Sequence, residues 1–164
     1  MNKKYRIFIS SPIWKFENFR QAILDSAKLL RETGRFELFF YEEHCHKAVE
    51  GKTITEVICD NSGQTYDAMF VAFQNRVGQG TLDELSYFEN TIKSMNASAD
   101  LWWCQVFCGD LEDETTDFRH RLVNHHGTEL PIFDGQLVVE RPSQLADRFA
   151  AHAMRLIGEW LKSE

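Results

Sequence analysis

The feature that most constrains the fold is the passage from Asp67-Ala68-Met69-Phe70-Val71-Ala72-Phe73 through Gly78-Gln79-Gly80 into Thr81-Leu82-Asp83-Glu84-Leu85. An unbroken apolar run of this length reads as a strand, and a strand without polar alternation belongs in a sheet covered on both faces. The glycine-flanked turn that follows opens a helix with carboxylates near its start. A strand-to-helix turn of this kind is where open α/β folds place ligands.

The rest of the chain repeats the alternation. Residues 5 to 9 read as a first strand ending at Ser10-Ser11-Pro12, followed by a helix from about 15 to 33. That helix carries Phe16, Phe19, Ile23, Ala27 and Leu30 at helical spacing and stops at Gly34. Residues 36 to 41 form a second strand. Residues 42 to 51 are a polar loop or short helix, and Ile54, Val57 and Ile58 mark another helical face. After the central strand come a helix from Thr81 to about Asn96, a fourth strand over 101 to 107, and an acidic loop over 109 to 117. A short helix over 118 to 126, strand candidates at 130 to 133 and 137 to 139, and a last helix starting at Pro142 complete the chain. Leu145, Phe149, Ala153, Leu156 and Trp160 form the apolar stripe of that helix.

Strands alternating with helices of these lengths imply one doubly wound α/β domain over 1–164: a mostly parallel sheet of about five strands, flanked by helices. At 164 residues the chain is long enough for a single sizeable core. Its net charge of -7 argues against a duplex-binding surface, which needs clustered Lys and Arg, so nucleic acid is not expected as a partner. No apolar run has the length of a membrane span and no signal-peptide core follows Met1, so a cytoplasmic protein is expected. Cysteines at 45, 59, 104 and 108 form no CxxC pair and no disulfide framework.

In such a fold the carboxyl ends of the strands share one rim. Ser10, Ser11, Pro12 and Trp14 meet there with Glu42 and Glu43 and with the stretch from Asn75 to Glu84. Ser10 and Ser11 either hold a phosphate or sugar or merely turn the chain. Gly78 and Gly80 permit close backbone approach to a ligand, but they make neither the dinucleotide fingerprint nor a Walker loop. Glu84 has two readings. Thr81-Leu82-Asp83-Glu84 fits a capping box, with Thr81 as N-cap, and local pattern alone favours that. A carboxylate near a helix N-terminus is also held ionised, as a nucleophile or a stabiliser of an oxocarbenium-like centre must be.

These motifs resemble the superfamily that joins nucleoside 2-deoxyribosyltransferases and TIR-like domains. The likeness rests on Arg6-Ile7-Phe8-Ile9-Ser10-Ser11 in the first strand, on Asp67 before the third, and on Gly80-Thr81-Leu82-Asp83-Glu84. It covers residues 5 to 107 and implies a flavodoxin-like or TIR-like fold that cleaves N-glycosidic bonds. By that resemblance Glu84 acts at the ribosyl carbon and Asp67 orients a hydroxyl or the glutamate. Ser10, Ser11, Gly78, Gly80 and Thr81 line the site, and Trp14 or Tyr41 stacks on a base. The implied activity is that of an NAD glycohydrolase, with NAD as substrate and no resident cofactor. The alternatives are a nucleoside 2-deoxyribosyltransferase and a nucleotide-sensing or protein-interaction module without turnover. A small nucleotide or nucleoside is the expected partner, with self-association into a homo-oligomer left open.

Other residues read as structural. Glu43-His44-Cys45-His46 lacks a zinc spacing, and no metal site is expected. His125-His126-Gly127 suits a helix C-terminus, and Cys104 and Cys108 suit core filling, with no basic neighbour in sequence to activate them. Leu101-Trp102-Trp103 reads as the start of a buried strand.

Overall fold

The computed structural model describes residues 4–12, 16–39, 66–106, 112–130 and 139–163. Five strands, β1 (Tyr5–Ser10), β2 (Phe36–Phe39), β3 (Ala68–Phe73), β4 (Asp100–Gln105) and β5 (Thr128–Glu129), lie in the order β2-β1-β3-β4-β5. Every strand pairing among them is parallel. This is the flavodoxin-like arrangement, in which the chain leaves β1 toward one edge and returns to β3 on the other side.

Burial explains the patterns in the sequence. All six residues of β1 and all six of β3 are buried, because both strands are central and covered on both faces. β2 lies at the edge and alternates: Phe36 and Leu38 are buried, while Glu37 is partly open and pairs with Arg6, its register partner.

Helix α1 (Glu17–Glu32) and helix α4 (Pro142–Ser163) cover one face. There Ile23, Ala27, Leu30, Leu145, Phe149 and Ala153 meet Ile7, Ile9, Phe70, Ala72 and Trp102. Helix α2 (Gln79–Tyr87) and helix α3 (Thr116–Asn124) cover the other, where Leu85, Phe88, Phe118 and Leu122 meet Phe8, Met69, Val71, Phe73 and Trp103. The period-2 alternation of strand side chains assigns neighbouring residues such as Trp102 and Trp103 to opposite cores. Each large side chain withdrawn from water contributes about 1.5–3 kcal/mol, so both faces are needed to hold the sheet.

The helix ends follow local chemistry. Gly34, at φ +70°, ends α1 in the left-handed region, and its N–H bonds to Arg31 O at 2.9 Å. α3 ends differently, with His126 at φ 59° taking the left-handed position usually given to glycine. His126 N–H reaches Val123 O at 2.9 Å and Gly127 N–H reaches Leu122 O at 3.0 Å, the paired bonds of a Schellman motif. Glycine is required one residue later, because a Cβ on Gly127 would stand 2.5 Å from Leu122 O.

Several boundaries differ from expectation. α2 begins at Gln79, with Gly78 as N-cap, rather than at Thr81, and beyond Tyr87 it continues through a π-helical turn, Phe88–Ile92, to a final turn, Lys93–Met95. The π-helical turn keeps both Phe88 and Ile92 in the core. α3 starts two residues before the expected 118, inside the expected acidic loop. β5 is Thr128–Glu129 instead of 130–133, since the Schellman turn delivers the chain to β4 that early. Val139 makes a parallel bridge to Val106. The loop and helical face expected over 42–51 and 54–59 lie outside the described residues, as do 131–138.

Candidate functional site at the carboxyl ends of β1 and β3

The point where the strand order reverses lies between β1 and β3, and open sheets of this kind take ligands outside the carboxyl ends of the strands there. Ser10, fully buried, is the last residue of β1 and pairs in register with Val71 of β3. Its hydroxyl donates to Oε2 of Glu84, which reaches across from α2.

This contact corrects the capping reading. With Gly78 as N-cap, Thr81 sits within the first turn and Glu84 is the sixth helical residue, beyond the N–H groups that a capping carboxylate would accept from. Glu84 points to β1 instead. The position also corrects the expected ionisation, since the helix-terminal field falls off within the first turn. Burial pushes the Glu84 carboxyl up to about 7, against the opposing pull of the Ser10 hydrogen bond and of the Arg20 guanidinium, while Asp83 adds a small upward push. Near neutral pH the group is therefore divided between acid and carboxylate, a state suited to taking or giving a proton.

The turn after β1 is fastened from α1. Arg20, largely buried, donates through Nη1 to Ser11 O at 3.0 Å, Ser11 Oγ at 2.6 Å and Pro12 O at 3.3 Å. Ser11, read from sequence either as holding a phosphate or sugar or as turning the chain, is held by Arg20. Sequence reading passed over Arg20, although the signal was present. It lies four residues after Phe16 and three before Ile23, so a charge stands within an apolar stripe.

At the start of α2, Gly78 and Gly80 have open space where a Cβ would stand, and no acidic residue occupies the first turn. Thr81 is buried. The following loop is braced: Glu114 N–H bonds to Asn75 O at 3.0 Å, and Arg76 pairs with Glu114 at 3.2 Å. Behind it, Gln105 bonds to Thr115 and accepts from Arg119 at 2.7 Å, while Arg119 also pairs with Asp113 at 2.8 Å.

Asp67 does not join this group. It precedes β3, at the amino end of the sheet, where its N–H bonds to Arg6 O at 2.8 Å and its Oδ2 accepts from Arg6 N–H at 2.9 Å. Arg6 and Ser10 are four strand residues apart, so the two acids are separated by about 13 Å along the strand direction alone. A residue that precedes a parallel strand lies at the opposite rim from one that follows it. Trp14, Tyr41, Glu42, Glu43 and the segment His44-Cys45-His46 lie outside the described residues, as do Cys59 and Cys108.

Among the described residues, no group of three or more His, Cys, Asp or Glu is placed to hold a metal. Cys104 fills the core as expected, but its surroundings do include a cation: Arg148 Nη1 lies 4.0 Å from its Sγ. Burial outweighs that neighbour and pushes the thiol up to about 12. No helix among the described residues is long and apolar enough to cross a membrane.

Neither a protein-family model nor a curated protein matches the chain. Among solved structures it is similar to the rubredoxin oxygen:oxidoreductase of the anaerobe Desulfovibrio gigas, at 16% identity and a TM-score of 0.51. The match covers 93% of this chain and 36% of that one, so the chain spans about a third of that protein's length. A likeness at this identity bears on the fold, and it agrees with the strand order described above.

Proposed function

We infer that this chain cleaves the N-glycosidic bond of NAD or a related nucleotide, with Glu84 as the group that faces the reacting ribosyl carbon. One observation carries the reading: Glu84 turns away from its own helix end and meets the end of β1 at the switch point of the sheet. The resemblance of Gly80-Thr81-Leu82-Asp83-Glu84 to the glycosyl-transfer element supports it.

The chemistry required of the site is small. When the bond between the ribosyl carbon and a pyridinium nitrogen breaks, the electron pair leaves with the nitrogen and the base departs neutral without needing a proton. Positive charge develops on the sugar, and a carboxylate beside it stabilises that state more than the ground state. Water then adds to the ribosyl carbon, and its proton passes to Glu84. A group balanced near neutral pH serves this second step. Asp67 takes no part in this scheme, being at the other rim.

Incubation of the purified protein with NAD, and separately with a deoxynucleoside plus a second free base, tests the reading by product. Release of nicotinamide that is lost in a folded Glu84→Gln variant supports it. Base exchange instead of hydrolysis supports the deoxyribosyltransferase alternative. Turnover unchanged in Glu84→Gln removes Glu84 from the mechanism, and consumption of neither substrate favours the binding module.

A further inference from the structure

The strongest feature beyond the pair itself is the arginine behind it. Arg20 lies on the face of α1 that packs toward the sheet, where an arginine is costly to bury unless its donors are used. Its Nη1 serves three acceptors in two consecutive residues, Ser11 and Pro12, and Ser11 directly follows the serine that bonds Glu84. Among the described residues, the groups acting on the Glu84 carboxyl come from three elements: Ser10 from β1, Arg20 from α1, and Asp83 from α2 itself. Only Arg20 among these brings a positive charge.

We propose that Arg20 is a positioning residue for the Ser10–Glu84 pair, fixing the Ser10–Pro12 turn on α1 and keeping a cation toward the Glu84 carboxylate. The proposal rests on reading that pair as the reacting centre, but its physical content concerns the pair alone. The two duties separate by substitution. Lysine keeps the charge but its ammonium ends about one bond short of the Nη1 position, so the bonds to Ser11 and Pro12 lengthen, while glutamine keeps some hydrogen bonding and loses the charge. A merely structural arginine would affect stability without moving the proton equilibrium of Glu84.

The test uses the full chain without substrate. The Glu84 carboxyl is titrated by carbon NMR in glutamate-labelled protein, with its resonance assigned by its absence in Glu84→Gln, and exchange of the Ser11 amide is followed in parallel. In Arg20→Gln the Glu84 midpoint moves up, by on the order of half a pH unit or more. In Arg20→Lys, which keeps the charge, Ser11 exchange rises roughly tenfold and the midpoint moves up by less than in Arg20→Gln. An unmoved midpoint in Arg20→Gln, or unmoved Ser11 exchange in Arg20→Lys, overturns the proposal. Should Arg20→Gln fail to fold, the same midpoint is read in Arg20→Met, which keeps the aliphatic stem and loses the charge, and an unmoved midpoint there overturns the proposal. Neither measurement needs turnover. A protein inert toward NAD that still shows both effects keeps the positioning role and loses the glycohydrolase reading.

Discussion

The hydroxyl of Ser10, at the last position of β1, donates to the carboxylate of Glu84, 74 residues further along the chain on α2. The bond ties α2 to the carboxyl end of β1 at the switch point. Burial of the carboxyl there carries a cost, since a carboxyl withdrawn from water resists ionisation.

Replacing Glu84 by glutamine is expected to separate the proposed activity from stability. Folded Glu84 has its carboxyl raised above the unfolded value of 4.5 to about 7, so the folded chain holds the extra proton between those two pH values. Stability from this group is complete below 4.5 and declines as pH rises through 7. Glu84→Gln removes that decline. At pH 8 the variant is expected to be more stable by roughly 1–3 kcal/mol in urea unfolding while N-glycosidic cleavage is lost.

Ser10→Ala deletes the hydrogen bond that favours the ionised form of Glu84. Under the proposed function, cleavage by the wild-type chain is expected to rise with pH through about 7, following the Glu84 carboxylate. In the alanine variant the same rise is displaced to higher pH. A pH–rate profile of kcat/KM that Ser10→Ala leaves in place would show that the bond does not govern the reacting form.

The glycines at the site and behind α3 should respond in opposite ways. Gly80 lies within the first turn of α2 with open space at its Cβ position, so Gly80→Ala is expected to stabilise the free protein by about 0.5–1 kcal/mol. If a nucleotide approaches this turn closely, the added methyl raises KM. Gly127→Ala drives a Cβ against Leu122 O and should cost roughly 1–3 kcal/mol, read as a lower midpoint of thermal unfolding.

His152 gives the acid limb of stability. Its ring is buried edge-on against Trp102, with centroids 4.5 Å apart, and burial aided by Arg155 lowers it from 6.5 to about 4. The unfolded chain binds this proton first, so stability from neutral His152 is full above 6.5 and is lost as pH falls toward 4. Between 6.5 and 4.5 the effects of His152 and Glu84 run in opposite directions, and the wild-type curve is flattened there. His152→Phe, which keeps an aromatic ring beside Trp102, is expected to gain stability on acidification through this window where the parent does not.

The sequence by itself determined the elements that carry the fold. Phe70 and its neighbours had to form a strand covered on both sides, and Leu145, Phe149 and Ala153 had to face a sheet, because hydrophobic period and length leave few other ways to bury those side chains. Gly34 as a helix stop follows from the same local chemistry. Direction along a parallel sheet was also legible in principle. Asp67 precedes its strand and Glu84 follows it, which already separates them by the strand's length.

Tertiary structure alone decided what Glu84 does. Thr81 and Glu84 have the spacing of a cap, and nothing within four residues tells a capping carboxylate from one aimed at another strand. The choice depends on where the helix begins, which moved to Gln79, and on the approach of Ser10 across the sheet. Arg20 was left to the fold for the same reason: its charge was plain within an apolar stripe, but its acceptors exist only once the turn after β1 is laid over α1. Proton affinity is likewise a property of surroundings: burial raises Glu84 against the opposing pull of Ser10 from β1 and Arg20 from α1.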